Sequence, residues 1–222
     1  MSETTPEPSP GRRERNMQLK QERILSAASE LFEERGFAAV TTQEISERAD
    51  VAAGTLFRYA ASKSELLLMV YNEHLRDSIA EGMRRAAAES PLGDAVFAMV
   101  APLLESAARR PENTAVYQRE LLFGPATEQY RGAGLALIGG LEAAIAERLT
   151  DELRDLGADQ ARLAAASIFA ATHLAIARMS TGAHPQHDAL GDLRTQVTQI
   201  IAGAAGEASR HQRPSTGKGR TQ

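Results

Sequence analysis

Apolar positions recur at three- and four-residue intervals along nearly the whole chain, and nowhere do they alternate long enough to mark a strand. The pattern predicts an all-α protein. Ile24, Ala28 and Leu31, with Ala27 and Phe32, form one helical stripe over residues 17–35, and Gly36 is a good terminator for it. The next elements are much shorter. Thr41 and Glu44 have the spacing of a capping box, and Ile45 and Ala49 then lie one turn apart on a single apolar face. Asp50-Val51 closes a turn, because Asp tolerates left-handed backbone better than most residues. A second short helix is expected over residues 52–59, with Val51, Leu56 and Phe57 facing in. Its outward side offers Ala52, Ala53, Gly54, Thr55 and Arg58, small groups plus one reaching donor. Such a surface lets a helix sink into the DNA major groove.

From Ser62 the helical period continues to Ser90, where Pro91 ends it. Ser62 and Glu65 make a second capping box at the head of this helix. Further helices are expected over residues 92–110 with a kink at Pro102, over 112–122, and over 127–156 with a bend or break near Gly139. Asp159 is the expected cap of the next helix, which ends near Gly182, and the last runs over 188–208. The organisation is thus an N-terminal extension (1–16), a three-helix helix-turn-helix domain (17–78), a second helical domain (79–208) and a polar tail (209–222). The extension and tail have the composition of disordered segments, although Arg12, Arg13 and Arg15 also suit an arm that reaches DNA.

Composition narrows the chemistry. The chain has 222 residues, 43% of them hydrophobic, which is globular in character, and no cysteine, which excludes disulfides and thiolate metal sites. No apolar core of a secretory signal stands near the N-terminus. The longest apolar run, residues 163–177, is interrupted by Ser167, Thr172 and His173 and is short of a membrane span. A cytoplasmic protein with no membrane partner is expected. Net charge is −4, yet residues 12–63 carry nine Lys/Arg against eight Asp/Glu, so the acid excess lies downstream. There is no H-E-x-x-H, G-x-S-x-G, Gly-rich phosphate loop or paired E-x-x-H, so neither an enzyme nor a cofactor is indicated. His184, His187 and Asp188 make only a weak metal site, and Asp188 is adequately explained as a helix cap.

The run Ala53-Gly54-Thr55-Leu56-Phe57-Arg58-Tyr59, followed by Ser62-Lys63 and Leu66-Leu67, resembles the helix-turn-helix of the tetracycline-repressor (TetR) family. The preceding Arg23-Ile24-Leu25, Leu31-Phe32 and Gly36-Phe37 fit the same pattern, so the resemblance covers residues 18–78. Three positions depart from it. Asp50 replaces a usual Gly, Phe57 lacks the hydroxyl a Tyr gives to a phosphate, and Ala60 replaces a bulkier Phe. The resemblance implies that Thr42, Gln43, Ala53, Gly54, Thr55 and Arg58 face double-stranded operator DNA, with Tyr59 and Lys63 on phosphates. Arg58 suits either a guanine edge or a phosphate.

The resemblance also implies a ligand-responsive regulator, most readily a repressor that binds a palindromic operator as a homodimer and is released by a small, mostly apolar effector. An activator or constitutive binder of this fold, or a helical carrier with a vestigial helix-turn-helix, are the rival readings. The effector would lie among Phe97, Leu103, Tyr117, Gln118, Phe123, Phe169 and His173, each of which also suits ordinary core. Leu190, Leu193, Val197, Ile200 and Ala204 form an a/d stripe behind an Ala-rich helix that is apolar nearly all round. These two helices are either intramolecular core or, as the family implies, the seam of a dimeric four-helix bundle.

Overall fold

The computed structural model describes residues 11–89, 91–126, 128–183 and 188–211. Most of the expected N-terminal extension, the tail beyond His211, and the loop holding His184 and His187 lie outside the described residues. The described residues form nine helices and no strand. They fall into two compact units that divide between Val70 and Tyr71, within a helix; the boundary expected at residue 78 lies farther along the same helix.

The first unit holds α1 (Arg12–Arg35), α2 (Thr42–Arg48), α3 (Ala53–Leu56) and the first turns of α4 (Lys63–Ala86). Ile24, Ala28, Phe32, Ile45, Leu56 and Ala60 are buried, so the stripe read from the sequence is the core. Helix α1 begins at Arg12, five residues before the apolar period does. Residues 12–23 are exposed throughout, so no burial pattern could mark them; Arg, Glu, Gln, Lys and Leu are good helix formers without it. Gly36, at φ 78°, ends α1, and its N–H donates to the Phe32 carbonyl. The first capping box forms in full and the second in its Ser62 half. Thr41 Oγ1 accepts from the Glu44 N–H at 3.2 Å while Glu44 accepts from the Thr41 N–H at 2.8 Å. Ser62 Oγ accepts from the Glu65 N–H at 3.0 Å, but the Glu65 carboxylate reaches back to the Ala61 N–H.

The second unit holds the rest of α4, then α5 (Leu92–Ala107), α6 (Pro111–Phe123), α7 (Gln129–Glu152), α8 (Ala158–Ser180) and α9 (Ala189–His211). Helix α5 is its centre, packed by α7, α8 and α9 and buried at every position from Ala95 to Leu104. The helix buried on all sides is therefore α5, and not the Ala-rich α8. Helix α8 buries Ala161, Ala164, Ala165, Ile168, Thr172 and Ile176 but leaves Leu163 and Leu174 exposed. By length and composition α8 could cross a membrane, but these six residues pack inside the unit.

Several boundaries differ from expectation. Helix α4 ends at Ala86, and a turn covers Ala87 and Ala88 before Pro91 caps α5. Helix α7 runs unbroken, because Gly139 and Gly140 fall on its exposed face while Ile138, Leu141, Ile145 and Leu149 hold the other. Gly157, not Asp159, caps α8. Asp188 does cap α9, its carboxylate accepting from the Gly191 N–H at 3.1 Å.

The stripe on α9 needs a larger correction. Leu193 and Val197 are 1% and 0% exposed within the single chain and belong with Ile201 to the core that α5 and α8 share. Leu190, Ile200 and Ala204 flank that core half-buried. A heptad-like spacing shows that a face is apolar; it does not show whether another helix of the same chain covers it.

Candidate nucleic-acid interface and ligand cavity

The turn between α2 and α3 is built to hold an unusual residue. Asp50 sits at φ 51°, the positive-φ position expected for the family's Gly. Its N–H donates to the Glu47 carbonyl and the Val51 N–H to the Ser46 carbonyl, which is a Schellman closure of α2. Arg23 of α1 fastens it from outside, donating to the Asp50 carboxylate at 3.2 Å and to its carbonyl at 3.1 Å. Arg35 pairs with Glu44 at 2.7 Å, and Arg48 pairs with Glu30 and Glu34, so α2 is strapped to α1 along its length. The Arg35 hydrogen bond, then the Thr41 N–H, hold the Glu44 carboxyl down at about 2.

This scaffold presents a small-residue surface. Gln43, Ala53, Gly54 and Arg58 are exposed, and Thr42 and Thr55 are half-exposed. A Cβ added at Gly54 would meet nothing within 4 Å, so the surface there is open. The Arg58 guanidinium makes no hydrogen bond or ion pair among the described residues, which leaves its five donors available. Gln43 is turned along its own helix and donates to Glu47 at 2.9 Å. The regular part of α3 is only Ala53–Leu56, and looser turn bonds carry the chain on to Ala60.

Three expectations change at this surface. The Tyr59 hydroxyl donates to the Met17 carbonyl at 3.2 Å, tying the segment after α3 to α1. The Lys63 ammonium donates to the Val40 carbonyl at 2.7 Å and lies 4.3 Å over the Phe37 ring; burial pushes its pKa down. Both residues expected on phosphates are thus occupied inside the unit. Nothing in the local sequence shows that the loop 37–40 folds beneath Lys63. Phe57, read as inward, is 48% exposed beside Arg58.

The second unit contains a cavity of about 70 Å³. Leu103, Tyr117, Gln118, Phe169 and His173 line it as expected. Phe97 and Phe123 do not. Phe97 lies on another face of α5, since six residues turn a helix by about 240°, and its ring stacks under the Arg194 guanidinium at 4.3 Å. Phe123, the last residue of α6, is 81% exposed. The sequence reading missed the wall given by α4, where Tyr71, His74, Leu75 and Ser78 recur at helical spacing. That spacing was visible, but α4 reads as a connecting rod rather than as a wall.

Two hydrogen-bonded groups define the polar side of the cavity. Gln118 Nε2 lies 3.1 Å from His173 Nδ1 and 3.3 Å from the His173 carbonyl. Burial pushes the His173 pKa down. The Tyr117 hydroxyl donates to Asn72 Oδ1 at 3.0 Å, and Asn72 Nδ2 donates to the Tyr130 carbonyl at 2.8 Å. Asn72, 3% exposed, therefore joins α4 to α6 and α7. Burial raises the Tyr117 phenol well above its usual range. Gly134 of α7 makes this junction possible, because a Cβ there would stand 2.6 Å from both Asn72 Oδ1 and Leu121 Cδ1.

The first unit is thus a strapped helix-turn-helix with an open small-residue face, and the second is a helical unit with an apolar cavity. Residues 24–70 match the family of bacterial regulatory proteins of the tetR type. The chain resembles that family over these residues. It is 39% identical over 82 residues to the HTH-type transcriptional activator FasR of Mycolicibacterium smegmatis, covering 36% of this chain and 37% of that one. It is 33% identical over 108 residues to the HTH-type transcriptional repressor KstR of the same organism, covering 49% and 53%. The chain thus aligns with between about a third and half of these relatives' length. The TetR-family repressor FadR of Thermus thermophilus, solved with lauroyl-CoA, superimposes with a TM-score of 0.64 at 29% identity, over 82% of this chain and 94% of that one. FadR of Bacillus subtilis, at 19% identity and a TM-score of 0.61 over 82% and 98%, shares the fold.

Proposed function

We propose that this protein is a cytoplasmic transcriptional regulator, a repressor in its simplest form, that binds a palindromic operator as a homodimer and is released by a small, mostly apolar effector. The observation that carries the reading is the surface of Thr42, Gln43, Ala53, Gly54, Thr55 and Arg58 on the two helices that the Asp50 turn joins. Small side chains let the backbone approach the groove, and Arg58 supplies the reaching donor. Tyr59 and Lys63 support the element from within and act on DNA through their neighbours.

Two copies are needed to read a palindrome, with recognition elements about one helical turn of DNA apart. The seam is the outer face of α8, where Leu163, Ala170 and Leu174 are exposed, together with Ala202 and Gly203 of α9. Two large exposed leucines and small residues on neighbouring helices suit the close approach of a second copy's helices.

The effector site is the α4–α6–α8 cavity with Leu103, Tyr117, Gln118, Phe169 and His173 in its wall. Its volume is far below the roughly 300 Å³ of an ordinary ligand pocket, so any ligand must displace its walls. The junction through Asn72 places that displacement on α4, whose first turn carries Lys63. Lowering operator affinity 100-fold needs about 2.7 kcal/mol of differential binding, an ordinary coupling energy. The lauroyl-CoA bound by the Thermus relative supports an acyl-bearing or similarly apolar effector.

The test is a gel shift with the DNA upstream of the protein's own gene, repeated with apolar metabolites handled by products of the adjacent genes. Release by one of them is expected. A ligand that binds the protein yet leaves the complex undisturbed would make a constitutive binder the better account.

A further inference from the structure

The walls of the cavity carry no Lys, Arg, Asp or Glu among the described residues. Their polar groups are His74, Ser78, Ser106, Thr114, Gln118 and His173, with the phenols of Tyr71 and Tyr117. The protonation of His173 follows from geometry. A backbone carbonyl can only accept, so the Gln118 atom 3.3 Å from the His173 oxygen is the amide nitrogen. The same nitrogen stands 3.1 Å from His173 Nδ1, which must then accept as well. The neutral ring therefore keeps its proton on Nε2. A second proton on Nδ1 would set two donors against each other, so this contact opposes the imidazolium in addition to burial.

We propose that the cavity selects an uncharged ligand group: an apolar body carrying a neutral hydrogen-bond acceptor, such as an ester, thioester or ketone carbonyl, received by His173 Nε2–H, with ionised carboxylates rejected. The inference rests on this cavity being the effector site. An ionised carboxylate brought inside would lose its water with no cation to replace it, whereas a carbonyl exchanges one hydrogen bond for another. Any charged portion of an effector must stay outside the walls.

The probes are methyl octanoate and octanoate, compared by calorimetry with the full-length protein at about pH 8, where ordinary imidazoles are neutral. The ester should bind more tightly than the carboxylate by at least about tenfold. His173→Phe should weaken the ester about fivefold, the size of one neutral hydrogen bond, and His173→Gln, which restores a donor, should recover part of it. Gln118→Arg should invert the preference by giving the carboxylate a partner, an effect that simple partition into an apolar space would not show. Equal binding of the two probes, no binding of the ester, or an unchanged preference in Gln118→Arg overturns the proposal. Operator release, followed on the same samples, is a separate readout. Ester binding without release counts against the regulatory reading and leaves this one standing.

Discussion

Asp50 is the residue on which the turn between α2 and α3 depends, and its φ of 51° sets what may stand there. Asn shares its tolerance of left-handed backbone, so Asp50→Asn should change unfolding free energy by less than about 0.5 kcal/mol, while a β-branched Val should cost about 1–2 kcal/mol. Urea unfolding of the two variants checks this; equal stability would mean the turn does not need positive φ. Asp50 was legible because its conformation follows from side-chain chemistry next to its own backbone. Lys63 was not, because its partners Val40 and Phe37 come from a loop whose path only the fold fixes. His173 carries a second prediction at this scale. Its folded pKa lies below the unfolded value near 6.5, so the unfolded chain binds the extra proton first. Its contribution is thus lost as pH falls through about 6.5, and His173→Gln should remove that part of the pH dependence. Parallel stability-versus-pH curves for variant and wild type would contradict it.

At the scale of elements, α7 separates two kinds of glycine that look alike in sequence. Gly139 faces open space, so Gly139→Ala should stabilise by about 0.5–1 kcal/mol through helix propensity. Gly134 abuts Asn72 and Leu121, where overpacking costs about 1–3 kcal/mol and outweighs that gain. Gly134→Ala should therefore have a lower thermal midpoint than wild type and Gly139→Ala a higher one; the same sign in both would refute the close approach of α4 and α7. Capping signals located the starts of α2, α4 and α9 well, since Thr41, Ser62 and Asp188 act within their own turns. Helical phase failed over longer spans. Phe97 went to Arg194 rather than to the cavity, and the Leu193–Val197 stripe went to the core, because periodicity identifies a face and not its neighbour.

At the scale of the whole molecule, the buried stripe and the exposed α8 face make opposite forecasts. Val197→Glu puts a carboxylate where the chain alone leaves 0% exposure, so it should cost several kcal/mol and unfold or aggregate the protein. Leu174→Glu, at a position 48% exposed, should leave each chain folded and yield a monomer by light scattering. A folded, dimeric Leu174→Glu protein would place the seam elsewhere. The central claim, sequence-specific DNA binding by the small-residue face, is tested most directly by fluorescence anisotropy with the upstream operator and a scrambled duplex across a range of salt concentrations. The account predicts tighter binding to the operator, log affinity falling linearly with log salt, and in Arg58→Ala either weakened discrimination at one base pair or a slope flatter by about one unit. Equal affinity for operator and scrambled duplex, or an Arg58→Ala variant identical to wild type on both, would contradict it.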